Sequence, residues 1–143
     1  MGDSVRTSLK LIDGLAFEVD MGNHHFVIDT NKTQFGGKDR GPAPKSLILP
    51  ALGGCTAMDV TSILNKMKVP FTSIEVEVVA ETNDEHPVYF THIHLKYIVR
   101  GKNLNEKKIY RAVQLSQETY CGVSFMLKKS SELTHEIVIE DEA

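Results

Sequence analysis

Three observations predict an α+β domain spanning residues 1–143 in the order βββ-α-ββ-α-β, its strands mainly antiparallel. Short strand-like runs fill the first 28 residues, a long and almost wholly apolar helical pattern follows from Ala43 to Met67, and alternating runs flank a second helix beyond it.

Leu9-Lys10-Leu11-Ile12 and Leu15-Ala16-Phe17-Glu18-Val19 flank Asp13-Gly14, and a D-G pair between such runs is a hairpin signal. Phe26-Val27-Ile28 follows Gly22-Asn23 and adds a third strand. Residues 31–42 (NKTQFGGKDRGP) are polar and glycine-rich, a loop long enough to suggest a functional or interface role. Leu47, Ile48, Ala51, Leu52, Cys55, Met58, Asp59 and Ser62 then recur at helical spacing, with Val60, Ile63, Leu64 and Met67 continuing the apolar character. A helix apolar around most of its circumference belongs in the middle of a molecule. Pro50 lacks an N–H and is expected to kink or divide it, and Gly53-Gly54 let another backbone approach beside Cys55. Ile74 to Val78 alternates as a half-buried strand, and Val88 to Val99 reads as a long strand beyond the Asn83–Pro87 break. Residues 105–118 form the second helix, Cys121-Gly122 lies near its end, Val123 to Leu127 add a helical turn or two, and Thr134 to Ile139 closes the chain as a strand. One small sheet could hardly cover the central helix on all sides; a dimer with two sheets around paired helices would.

A net charge of −3 gives no reason to expect nucleic acid or an anionic membrane as partner. No stretch approaches the ~18 consecutive apolar residues of a membrane span, and MGDSVRTSLK lacks the apolar core of a signal peptide, so a cytoplasmic location is expected. In a reducing compartment two cysteines suit a transient, catalytic disulfide better than a permanent one, although buried thiols also serve as small hydrophobes. His92 and His94 stand two apart on one strand face, a spacing that can chelate a metal. No acidic or thiolate ligand clusters with them in sequence, so neither a metal nor a bound cofactor is expected.

Gly41-Pro42-Ala43-Pro44-Lys45-Ser46-Leu47, leading into Ala51-Leu52-Gly53-Gly54-Cys55-Thr56-Ala57-Met58-Asp59-Val60, resembles the first cysteine helix of the osmotically inducible protein C (OsmC) family. The resemblance continues through Glu85-His86-Pro87-Val88-Tyr89-Phe90-Thr91-His92-Ile93-His94-Leu95. It resumes at Ala112-Val113-Gln114-Leu115-Ser116-Gln117-Glu118-Thr119-Tyr120-Cys121-Gly122-Val123-Ser124, which is similar to the second cysteine helix. The wording of these motifs is nearest to the less-characterised branch of the family.

The resemblance implies an intertwined homodimer with two central helices wrapped by antiparallel sheets. It also implies reduction of organic hydroperoxides, with Cys55 as the peroxidatic and Cys121 as the resolving cysteine. The reductant would be a dithiol, often protein-bound lipoamide in relatives. Peroxide-reducing members pair the first cysteine with a glutamate before its helix and an arginine from an early strand connection. Here the glutamate position falls at Lys45, and Ile12-Asp13-Gly14-Leu15 contains no arginine. Arg40 and Lys45 are the cations offered instead, with Asp59 and Glu118 as supporting groups beside the two cysteines. Two rival readings are a protein binding a small hydrophobic or electrophilic ligand in a cysteine-lined dimer pocket, and a redox-sensing stress protein.

Overall fold

In the computed structural model, which describes residues 2–142, the Asp13-Gly14 turn closes the expected hairpin between β1 (Ser8–Asp13) and β2 (Ala16–Met21). Gly14 takes φ +55°, a left-handed conformation that glycine adopts without steric cost. The Gly22-Asn23 turn adds β3 (His24–Ile28), giving an antiparallel β1-β2-β3 meander. The chain divides into two compact units between Ile48 and Leu49, and this meander belongs to the first.

The glycine-rich loop after β3 is organised by one carboxylate. Asp29 is buried, and its side chain accepts the backbone N–H groups of Thr30, Lys38 and Arg40 together with the Arg40 guanidinium. Burial works against its ionisation, but these donors outweigh burial and hold the carboxyl below its usual range. Arg40 also reaches the β1–β2 turn, donating to the Asp13 carbonyl and carboxylate, and Lys38 joins it there. These hydrogen bonds hold the Asp13 carboxyl at about 2.

The second unit is built on β4 (Phe71–Thr82), β5 (Phe90–Gly101) and β6 (Glu132–Asp141), in the order β4-β5-β6. β4 and β5 pair antiparallel, but β5 and β6 are parallel, so this sheet is mixed rather than wholly antiparallel. The reason is the connection between them. Helix α2 (Glu106–Leu115), a π-helical turn over Ser116–Tyr120 and helix α3 (Gly122–Leu127) return the chain to the end where β5 began, as a parallel pair requires. Asn105 caps α2 by accepting the Lys108 N–H.

Helix α1 runs unbroken over Ile48–Lys66. Pro50 does not divide it, because it is the third residue of the helix, in the first turn, where N–H groups have no intrahelical partner. Lys68 at φ +59° and Pro70 end the helical path. Leu52, Thr56, Val60 and Leu64, four apart, form a buried stripe on α1. The stripe shares a core with Ile93, Leu95, Tyr97 and Val99 from one face of β5 and with Ile109, Ala112 and Val113 of α2. Burying each large aliphatic side chain contributes about 1.5–3 kcal/mol. The opposite side of α1 is uncovered: Ala51 is exposed and Met58 is 75% exposed.

A candidate dithiol site

Cys55 lies one residue from the buried stripe of α1, and Asp59 follows it by four, so both project from the same side of the helix. Gly53 lets α1 sit close to the sheet, since a Cβ there would lie 3.0 Å from a Val78 methyl. Cys121 comes from the other direction. The π-helical turn ends when its N–H donates to the Ser116 carbonyl at 2.8 Å, and Cys121 then turns extended to cap α3. Its sulfur accepts the Ser124 N–H at 3.4 Å. In this arrangement the two sulfurs and a carboxylate oxygen of Asp59 all lie within 4.8 Å of one another. Both thiols are free, Cys55 partly buried and Cys121 buried.

Burial pushes the Cys55 thiol up, and the neighbouring Cys121 thiol and the Asp59 charge push the same way. The Val123 N–H, directed at the Cys55 sulfur, opposes them. Behind the sulfurs runs a chain of polar groups whose direction is fixed by its ends. A carboxylate only accepts, so Ser116 Oγ donates to Asp59 Oδ2 at 3.0 Å. Ser116 must then accept from Thr56 Oγ1 at 2.7 Å, and Thr56 from the Tyr97 hydroxyl at 2.7 Å. Tyr97 in turn accepts from the Gln117 side-chain amide. Burial pushes the Tyr97 phenol up despite these bonds, which keeps it a donor at neutral pH. The Gln117 carbonyl oxygens accept from Ser124 Oγ and Lys128 Nζ.

Residues 36–136 match the family described as OsmC-like protein. The chain belongs to the OsmC-like family. Escherichia coli (strain K12) protein YhfA is 38% identical over 132 residues, covering 92% of this chain and 95% of its own. A solved structure of a hypothetical protein from Aquifex aeolicus VF5 superposes with a TM-score of 0.82 at 26% identity, covering 98% of this chain and 100% of the other. An organic hydroperoxide resistance protein OsmC from Legionella pneumophila superposes with a TM-score of 0.70 at 12% identity, covering 95% and 97%. At that identity the last likeness is one of fold.

Against this OsmC-like frame, the residues singled out from sequence fall into two groups. Cys55, Cys121 and Asp59 come together in the second unit. Glu118 is exposed on the π-helical turn, lining a groove of about 210 Å³ that also touches Cys121, Tyr120, Phe125 and Lys128. Arg40 belongs to the first unit, paired with Asp13 and Asp29, and it brings an arginine to the early connection whose own sequence has none. Lys45 opens a short 3-10 turn, Lys45–Leu47, ahead of α1. His92 and His94 lie on the outer face of β5, where Thr134 bridges them and Glu136 engages His94. His92 Nε2 and both His94 nitrogens are thus engaged within the sheet. Thr56, Tyr97, Ser116 and Gln117 were not among the residues sequence reasoning picked out. Only Tyr97's place in an apolar strand hinted at burial.

The carboxylate beside Cys55 gives a directional expectation. Asp59→Asn removes a negative charge that raises the thiol, so alkylation of Cys55 at neutral pH should quicken severalfold and its pH profile move to lower pH. Iodoacetamide trapping across pH reads this, and an unchanged profile would exclude Asp59 as an influence.

Proposed function

We propose that the protein reduces organic hydroperoxides with electrons from a dithiol, using Cys55 as the attacking and Cys121 as the resolving thiol within a homodimer. The observation that carries this reading is the approach of the two sulfurs to within 4.8 Å, from which side-chain rotation can close an S–S bond of about 2 Å. The Cys55 thiolate attacks a peroxide oxygen; the S–O bond forms, the O–O bond breaks, and the alkoxide leaves as the alcohol after taking a proton. The Cys121 sulfur then attacks the sulfenic acid, forming the disulfide and releasing water. An external dithiol, of which protein-bound lipoamide is one example, is oxidised as it returns both cysteines to thiols. Membership of the OsmC-like family and its hydroperoxide-resistance fold neighbours support the assignment.

Reduced protein treated with one equivalent of tert-butyl hydroperoxide tests it. The expected products are tert-butanol and an intramolecular Cys55–Cys121 disulfide, seen by mass spectrometry. Two thiols left intact would overturn the proposal. The upward push on the Cys55 thiol slows peroxide attack, and one rival reading is binding of a small hydrophobic or electrophilic ligand beside it. An open groove of about 530 Å³ lined by Asp59, Ile63, Met67, Leu115 and Tyr120 offers room, and labelling of Cys55 by electrophiles without peroxide turnover would select that reading.

A second copy of the chain is proposed to cover the outward side of α1. The segment Lys45–Lys66 is apolar and long enough to span a membrane by length and composition, yet only 28% of its most apolar window is buried in one chain. Phe125 and Met126 add exposed apolar surface on α3. An obligate interface buries upwards of about 2,000 Å². Light scattering at micromolar concentration should give the dimer mass, and Met58→Asp, which would place a charge in that interface, should give monomers. A monomeric wild type would rule out the arrangement.

A further inference from the structure

We propose that Cys55, Asp59 and Cys121 form a binding site for a thiophilic divalent cation of the zinc class. Two sulfurs and one carboxylate oxygen within 4.8 Å of one another are the donor types zinc prefers. Around a tetrahedral zinc with Zn–S near 2.3 Å and Zn–O near 2.0–2.2 Å, ligand atoms lie about 3.5–3.8 Å apart. Closing from separations of at most 4.8 Å takes a shift of no more than about 1 Å, within the reach of side-chain rotation. With three protein ligands, the fourth position is left open to water or a small molecule, the pattern of zinc centres that react rather than merely brace a fold.

Each of the three ligands is already steadied by an outer donor. The Val123 N–H points at Cys55, the Ser124 N–H at Cys121 and the Ser116 hydroxyl at Asp59. Such contacts orient ligands in metal centres. Ser116 is itself the last hydroxyl of the chain from Gln117 through Tyr97 and Thr56, so the Asp59 anchor is rooted in the core. Two other groups of donors compare poorly. His92 and His94 are engaged by Thr134 and Glu136, and Glu18, Asp20 and His25 are all exposed on the first sheet. In sequence only the histidines stand close enough together to suggest ligands, and no acidic or thiolate group clusters with them. The residues that meet are instead separated by 66 positions from Cys55 to Cys121.

The cation would share the sulfurs of the peroxide reaction, but its binding does not depend on that reaction. Coordination takes both sulfurs as thiolates with loss of their protons, so affinity should rise with pH. A loaded site would also be unable to form the disulfide until the cation leaves.

Anaerobic titration of the reduced protein with cobalt(II), followed by displacement with zinc, is the test. A thiolate-to-cobalt charge-transfer band saturating at one cobalt per chain is expected, and zinc should abolish it. Cys55→Ser and Cys121→Ser should each weaken binding by at least about 100-fold, and Asp59→Asn by about tenfold or more. His92→Ala should change nothing. Wild type with both thiols alkylated needs no substitution and should show no band. Absence of the band in reduced wild type, its persistence after alkylation, or full affinity in Asp59→Asn would overturn the three-ligand site. Disulfide formation with peroxide but no cobalt band would remove the metal site alone. A saturating band with no peroxide reaction would support the site and remove the peroxidase reading.

Discussion

Cys55→Ser should reduce hydroperoxide consumption to the buffer rate, whereas Cys121→Ser should react once and then stop. The asymmetry follows from placement. Cys55 is the more accessible sulfur, partly buried on α1 with the Val123 N–H directed at it, and Cys121 is buried at the start of α3 with its sulfur fixed by the Ser124 N–H. A serine hydroxyl at neutral pH does not replace a thiolate as nucleophile, so the first variant loses the chemical step entirely. The second keeps the attacking sulfur and loses only the group that removes the sulfenic acid. Mass spectrometry after one equivalent of peroxide should show one added oxygen at Cys55, and excess peroxide should drive it to the sulfinic and sulfonic acids. Both variants substitute an atom of similar size and should remain folded. Normal turnover of Cys121→Ser with a dithiol would remove the resolving role, and residual turnover of Cys55→Ser would remove the attacking one.

The legible part of this chain is the part governed by short-range pattern. The Asp13-Gly14 turn, the alternation in β4, the long strand β5 and the second helix could be read from neighbours a few residues apart, and the structure has all of them. Pro50 misled because its effect depends on where the helix begins. Four residues further along it would have broken α1, but in the first turn it costs nothing. The parallel β5–β6 pair was hidden because Thr134 to Ile139 looks the same run in either direction. Only the route of α2 and α3 sets which end comes first. The site divides the same way. The Cys55–Asp59 spacing is a helix turn and was visible, whereas the Thr56–Tyr97–Ser116 chain joins residues 41 and 60 positions apart. Its members are common core-compatible side chains with no local signature. Arg40 shows the third case, a cation noticed in the loop whose partners, Asp13 and Asp29, emerged only with the fold.

Thr56→Val should lower stability by about 2–4 kcal/mol, one of the larger effects available from a change of nearly constant shape. Thr56 is fully buried at the centre of the polar chain, accepting from Tyr97 and donating to Ser116, each at 2.7 Å. Valine preserves the volume and the β-branch but deletes the hydroxyl. The Tyr97 hydroxyl is then left without an acceptor and Ser116 Oγ without its donor. Each buried polar group so stranded costs about 1–3 kcal/mol. The Gln117–Tyr97 and Ser116–Asp59 bonds survive, which is why the loss stays below the sum of the whole chain. Thr56→Ser retains the hydroxyl and removes one methyl, so it should cost only about 1 kcal/mol. Thermal unfolding of the two variants separates the polar effect from packing, with Thr56→Val melting roughly 10 °C below wild type. Equal melting temperatures would show that the chain is dispensable to the core. The consequence reaches the sulfurs through Ser116, since a hydroxyl no longer fixed from behind is freer to turn away from Asp59. In Thr56→Val the alkylation profile of Cys55 should therefore change together with stability, while in Thr56→Ser the profile should stay that of wild type.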